Sequence, residues 1–203
     1  MKRAQEDAAK AAELKKAAEF TGVYERTLEG HSNSVLCLVQ LADGRVVSGS
    51  DDNTLKVWNV NTGVCERTLE GHSETVNCLV QLADGRVVSG SWDNTLKVWN
   101  MNTGVCERTL EGHCDWVMCL VHLADGRVVS GSRDNTLKVW NVNTGVCERT
   151  LEGHSKGVNC LVQLADGRVV SGSSDNTLKV WNVNTGVCER TLDGHSSYVN
   201  CLV

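Results

Sequence analysis

Histidine, serine and aspartate recur together along this chain, and that trio is the set of residue types best able to do chemistry. The groups are His31, Ser48 and Asp52; His72, Ser89 and Asp93; His113, Ser130 and Asp134; and His154, Ser171 and Asp175. In a hydrolase the same three types supply a nucleophile, a base and an orienting carboxylate. An active site needs one such group, however, and here a tryptophan accompanies each of them: Trp58, Trp99, Trp140 and Trp181. Repetition beside a large apolar partner points to buried structural bonding, so no catalytic residue is expected. Histidine and cysteine could also hold zinc, but neither Cys-x-x-Cys nor His-x-x-x-His spacing occurs. No metal and no cofactor is therefore expected.

The elements that position these residues follow from a period. Thr-Gly pairs begin at Thr21, Thr62, Thr103, Thr144 and Thr185, a constant step of 41 residues. Within one period Val35 to Leu41, Arg45 to Ser50, Thr54 to Val60 and Val64 to Leu69 are short apolar, β-branched or alternating runs that read as strands. Between them, Ala42-Asp43-Gly44, Asp51-Asp52-Asn53 and Asn61-Thr62-Gly63 carry turn chemistry, and Glu70-Gly71-His72 leads to the next set. The result is a four-stranded antiparallel meander, and one such sheet cannot bury both its faces alone. Sheets repeated at this period stack radially as a β-propeller.

The units resemble WD repeats. Gly30-His31 precedes the first strand, Val46-Val47-Ser48-Gly49-Ser50 forms the second, Asp52 sits in the following turn and Leu55-x-Val57-Trp58 makes the third. The resemblance covers residues 21 to 203 and implies an all-β propeller of four full blades plus part of a fifth. It also implies that the His, Ser, Asp and Trp groups tie each blade together internally. Two departures lie outside that set: Asn59, Asn100, Asn141 and Asn182 stand where the family has Asp, and Ala42, Ala83, Ala124 and Ala165 where it has Pro.

Differences among the repeats then carry the functional information. Four series vary: Asn33, Glu74, Asp115, Lys156, Ser197; Ser34, Thr75, Trp116, Gly157, Tyr198; Leu36, Asn77, Met118, Asn159, Asn200; and Asp51, Trp92, Arg133, Ser174. In a meander the link into the first strand and the turn between the second and third lie at one end, so all four series should share a rim. The turns of the opposite rim hardly change. Tolerant loops would vary too, but drift should scatter differences over both rims. Trp92, Trp116, Tyr198, Met118 and Arg133 are residue types that anchor interfaces, and they imply a protein or peptide partner. The near-identical units are loosely similar to WD-repeat regions of fungal NOD-like receptors, and equally to a recently amplified or engineered propeller. A lectin-like use of the aromatics is a weaker alternative.

Composition narrows the classes further. A net charge of -5 disfavours nucleic acid, which calls for a basic face. No run approaches the roughly 18 apolar residues of a membrane span, and no secretory h-region opens the chain. Nine of the ten cysteines fall at two repeated positions: Cys37, Cys78, Cys119, Cys160 and Cys201, then Cys65, Cys106, Cys147 and Cys188. Equivalent positions on successive units are poorly placed for bridges, so buried free thiols and a cytoplasmic address are expected. Residues 1–20, rich in Ala, Lys and Glu, favour a helix. The strand count leaves a fourth-type strand at Val23 to Leu28 and a first-type strand at the end, so either the chain is a fragment or copies associate to complete a ring.

Overall fold

In the computed structural model, residues 26–202 are described; the helix expected over residues 1–20 lies outside them. Sixteen strands form four sheets. The first holds β1 (Val35–Gln40), β2 (Val46–Ser50), β3 (Leu55–Asn59) and β4 (Val64–Leu69). The second holds β5 (Val76–Gln81), β6 (Val87–Ser91), β7 (Leu96–Trp99) and β8 (Cys106–Leu110). The third holds β9 (Val117–His122), β10 (Val128–Ser132), β11 (Leu137–Asn141) and β12 (Val146–Leu151). The fourth holds β13 (Val158–Gln163), β14 (Val169–Ser173), β15 (Leu178–Asn182) and β16 (Val187–Leu192). Every sheet is an antiparallel meander in chain order.

Turn chemistry explains why each meander closes so tightly. Asn53, Asn94, Asn135 and Asn176 sit at φ of 68° to 71°, a left-handed position that asparagine tolerates better than most residues. Each first strand carries one extra residue where its register shifts, between Val35 and Cys37 in β1 and at the matching places in β5, β9 and β13. A bulge of this kind leaves one residue out of the ladder and turns its side chain aside. The bulged residues are Leu36, Asn77, Met118 and Asn159, four members of the third variable series.

Successive sheets approach most closely along their first strands, β1 on β5, β5 on β9 and β9 on β13. Three apolar layers fill the spaces between them. One joins Val47, Leu55, Val57 and Leu69 of the first sheet to Val76, Val87 and Trp99 of the second, and its counterparts recur at the next two junctions. Burial on this scale is the main source of stability. Gly131 marks how near the sheets come, since a Cβ there would lie 2.6 Å from Cys119 Sγ and 2.7 Å from Val158 Cγ1. Only a hydrogen fits.

The arc is open among the described residues. Val35 is 49% exposed and Leu38 66% on the outer face of the first sheet, whereas Val76, the counterpart of Val35, is fully covered. At the other end Leu192 is 40% exposed against 1% for Leu151. Residues 26–30 and 196–202 form no ladder, and the rest of the strands expected there lies outside the described residues. The Val199 amide donates to the Ser173 carbonyl of the fourth sheet at 3.0 Å.

The thiols are free, but fewer are buried than the sequence implies. Cys78, Cys119 and Cys160 are buried, Cys65, Cys106, Cys147 and Cys188 are half-buried beside solvent-facing fourth strands, and Cys114 and Cys201 are exposed. Burial pushes the Cys37 thiol up to about 12 and Cys160 to about 11, which keeps both protonated and unreactive at neutral pH.

Candidate functional site

Each sheet is pinned by one line of polar groups. In the third sheet Trp140 Nε1 donates to Ser130 Oγ at 2.8 Å, Ser130 Oγ lies 2.7 Å from His113 Nε2, and His113 Nδ1 lies 2.6 Å from Asp134 Oδ2. An indole can only donate and a carboxylate only accept, so the protons are forced into one order. Ser130 donates to Nε2, and Nδ1 carries the proton given to Asp134. The other three sheets repeat the line, through His31, Ser48, Asp52 and Trp58, through His72, Ser89, Asp93 and Trp99, and through His154, Ser171, Asp175 and Trp181.

This arrangement has the connectivity of a hydrolytic triad, yet its surroundings differ. Ser89, Ser130 and Ser171 are wholly buried, and each hydroxyl is occupied on both sides by histidine and tryptophan. Three of the four hydroxyls are thus shut off from solvent, while Ser48 borders a cavity on the uncovered face of the first sheet. Burial alone would raise the four aspartates, but hydrogen bonds from histidine, threonine and backbone amides outweigh it and hold all four carboxyls well below the ordinary range. Thr136 Oγ1 donates to Asp134 Oδ1 at 2.7 Å, and the Cys114 amide donates to Oδ2 at 3.1 Å. Thr54, Thr95 and Thr177 do the same in their sheets. These threonines were not singled out in the sequence, although Asp-Asn-Thr recurs in every unit.

The variable series converge on one rim, as strand order requires. The amides of Asp51, Trp92, Arg133 and Ser174 donate to the carbonyls of Ser34, Thr75, Trp116 and Gly157, joining the second and fourth series within each sheet. Contacts across sheets then pair them again. Thr75 Oγ1 donates to Asp51 Oδ1 at 3.0 Å; Trp92 and Trp116 stack with centroids 4.1 Å apart and planes within 7°; a Cβ on Gly157 would come within 3.2 Å of Arg133 Cα. Variation at the two series is therefore coupled at each junction.

Several residues placed on the rim by sequence do less there than expected. Thr75 is buried, and Met118 packs against the layer below it. Trp92 and Trp116 are half-buried against each other rather than free in solvent. Asn77 and Asn159 act as struts, donating to the carbonyls of Met118 at 2.8 Å and Val199 at 3.1 Å. Asn33, Ser34, Leu36, Glu74, Lys156, Ser197, Tyr198 and Asn200 are exposed, and Asp115 and Ser174 half so. The constant end has its own reason for uniformity. Arg45, Arg86, Arg127 and Arg168 each hold the aspartate two residues back, and Arg86 and Arg127 reach Asn143 and Asn184 of the next sheet at 2.6 Å.

One stretch of the variable rim is chemically distinct. The Arg133 guanidinium lies 4.6 Å from the Trp116 ring and Lys156 Nζ lies 5.8 Å from the Tyr198 ring. Between them is a cavity of about 550 Å³. Asn135 and Ser155 line it too, and both are the same in almost every unit, so comparison of repeats could not mark them. Among the described residues, no cluster of His, Cys, Asp and Glu is arranged to hold a metal ion, and no helix is long and apolar enough to cross a membrane.

The family model "WD domain, G-beta repeat" matches residues 22–59, 63–100, 104–141 and 145–182. The chain belongs to the WD-repeat family. WD repeats generally mediate protein–protein interaction. Curated relatives resemble this WD-repeat chain over single units: 60% identity over 35 residues with the Vegetative incompatibility protein HET-E-1 of Podospora anserina, and 53% over 34 residues with F-box/WD repeat-containing protein 7 of Drosophila melanogaster. Each match covers 17% of this chain and 3% of the relative's length.

Proposed function

We propose that this WD-repeat chain is a non-catalytic recognition module that binds a protein or peptide through its variable rim. The observation that carries the reading is the contiguous surface of Trp92, Trp116 and Arg133, built across the junction of the second and third sheets. Aromatic and arginine anchors beside a cavity are the usual composition of a binding centre. The likeness of one unit to an incompatibility protein agrees with a role in recognition.

The chain supplies its own conservative substitutions for the test. Trp92→Ser and Trp116→Thr place at each position a residue that another unit already carries there, Ser174 and Thr75. Partners retained from a lysate by the wild-type chain should be lost by this double variant while the folding transition stays cooperative. Equal retention by both proteins would overturn the rim as the binding surface.

A second reading, self-association into a closed ring, is favoured by a different observation. The exposed face bearing Val35 and Leu38 is the counterpart of the face that each preceding sheet covers, and the face bearing Leu192 is the counterpart of the covering one. The two are complementary because the three internal junctions already join them. Light scattering should then show a mass that rises with concentration, and Leu38→Lys should return it to that of one chain. A single-chain mass at all concentrations would refute this reading and leave the first intact.

A further inference from the structure

The cavity beside Trp116 lies where one unit carries no side chain. At the second variable position Gly157 stands between Trp116 on one side and Tyr198 on the other, and a Cβ there would already press on Arg133 Cα at 3.2 Å. Its backbone is not in the left-handed region, so conformation does not call for glycine. At this junction lies the space of about 550 Å³ that Trp116, Arg133, Lys156, Asn159, Ser174 and Tyr198 line.

The charges around that space are one-sided. Arg133 and Lys156 are its only ionisable cations and no carboxylate lines it, on a chain whose net charge is -5. Arg45, Arg86, Arg127 and Arg168 of the opposite rim each hold an aspartate, whereas among the described residues Arg133 and Lys156 hold none. A guanidinium lying over an indole face keeps its in-plane N–H groups free, and that fork matches a carboxylate. Trp116 has Trp92 on one face and Arg133 on the other, so it seats the guanidinium, whereas the exposed Tyr198 ring offers an apolar wall, and Asn159 and Ser174, bonded to each other at 3.0 Å, keep acceptor capacity suited to a peptide N–H.

We propose that this cavity receives an aspartate or glutamate side chain of an extended peptide segment, with Arg133, seated on Trp116, and Lys156 pairing its carboxylate and the Tyr198 ring flanking the chain. The proposal rests on the rim being the recognition surface and names the chemistry that the surface selects. An overall acidic protein repels long polyanions, so a short acidic segment fits the local charge better than nucleic acid does.

The test uses the full chain on an array of random hexapeptides, with a fifteen-residue oligothymidylate as a polyanion control. Wild-type protein should select peptides enriched in Asp and Glu, and binding of the best of them should weaken about tenfold in Arg133→Gln/Lys156→Gln, whose melting should match wild type. Gly157→Trp, the residue of the third unit at this position, keeps both charges and narrows the cavity; it should weaken binding of the same peptides. Selection of peptides without acidic enrichment, lost on Trp92→Ser/Trp116→Thr but unchanged by the charge variant, overturns the acidic-ligand proposal and keeps the recognition surface. Equal affinity for the oligothymidylate also overturns it. Retention of no peptide overturns both.

Discussion

Arg133 and Asp134 are neighbours in one turn and have opposite fates. Asp134 points inward and takes hydrogen bonds from His113, Thr136 and the Cys114 amide, whereas Arg133 is exposed over Trp116 at the rim. The same split recurs at Asp51 and Asp52, Trp92 and Asp93, and Ser174 and Asp175. A turn so firmly held by one residue leaves the next free to change, and this is how a nearly identical scaffold presents a different surface at each unit. The comparison makes a sharp demand: changes on the inward side should cost folding, and changes on the outward side should cost binding.

Acid is expected to have the largest effect, because it strikes all four inward sites together. The aspartates' folded pKa values lie below the unfolded value near 4, so the folded state binds fewer protons and their stabilisation is fully present above about pH 4 and lost as pH falls. His154 is also lowered, mainly by burial with Asp175 opposing, so its neutral form favours folding and acid begins to erode stability below about 6.5. Melting temperature should decline gently from neutrality and steeply below pH 4. A rise over that range would contradict the buried lines. The rim aspartates Asp43, Asp84, Asp125 and Asp166 titrate with the same sign through their arginine partners, so the inward share is read from the smaller acid response of Asp134→Ala.

At neutral pH Asp134→Ala itself should destabilise by about 1 to 3 kcal/mol, since four donors lose their acceptor. Denaturant melts of the variant and its parent measure this; an unchanged midpoint would count against the assignment. Gly131→Ala comes next, at about 1 kcal/mol or somewhat more, because the added methyl must displace Cys119 and Val158 from an already closed junction. If that variant melts with its parent, the sheets are less tightly packed than the distances imply.

How much of this was legible beforehand depends on what each feature needed. Strand limits and the buried lines could be read from one unit, because period, turn residues and the His, Ser, Asp and Trp types all lie within a single 41-residue step. The shared rim followed from strand order alone. Coupling between the second and fourth series could not be read, since it joins Trp92 to Trp116 and Thr75 to Asp51 across a junction that no single unit contains. For the same reason the two tryptophans looked exposed: each covers the other, and a position taken by itself shows no cover. The bulge that turns Leu36, Asn77, Met118 and Asn159 out of the ladder is likewise a property of pairing with the second strand.

The smallest effect belongs to the outward side and is the most discriminating. Arg133 is exposed and its interaction with Trp116 is expected to contribute only about 0.5 to 1 kcal/mol, as for other solvent-facing cation–aromatic pairs. Arg133→Ser, the residue of the fourth unit at this position, should therefore shift stability by less than about 1 kcal/mol. Trp116→Thr removes both the stack on Trp92 and the seat for Arg133, so it should cost more. Combining the two changes gives a cycle whose coupling energy isolates the pair, expected near 0.5 kcal/mol. Zero coupling would mean that the guanidinium is held by the backbone of its turn rather than by the ring. A coupling of several kcal/mol would make Arg133 part of the folding core and dissolve the separation between an inward residue that pins the turn and an outward one left free to vary.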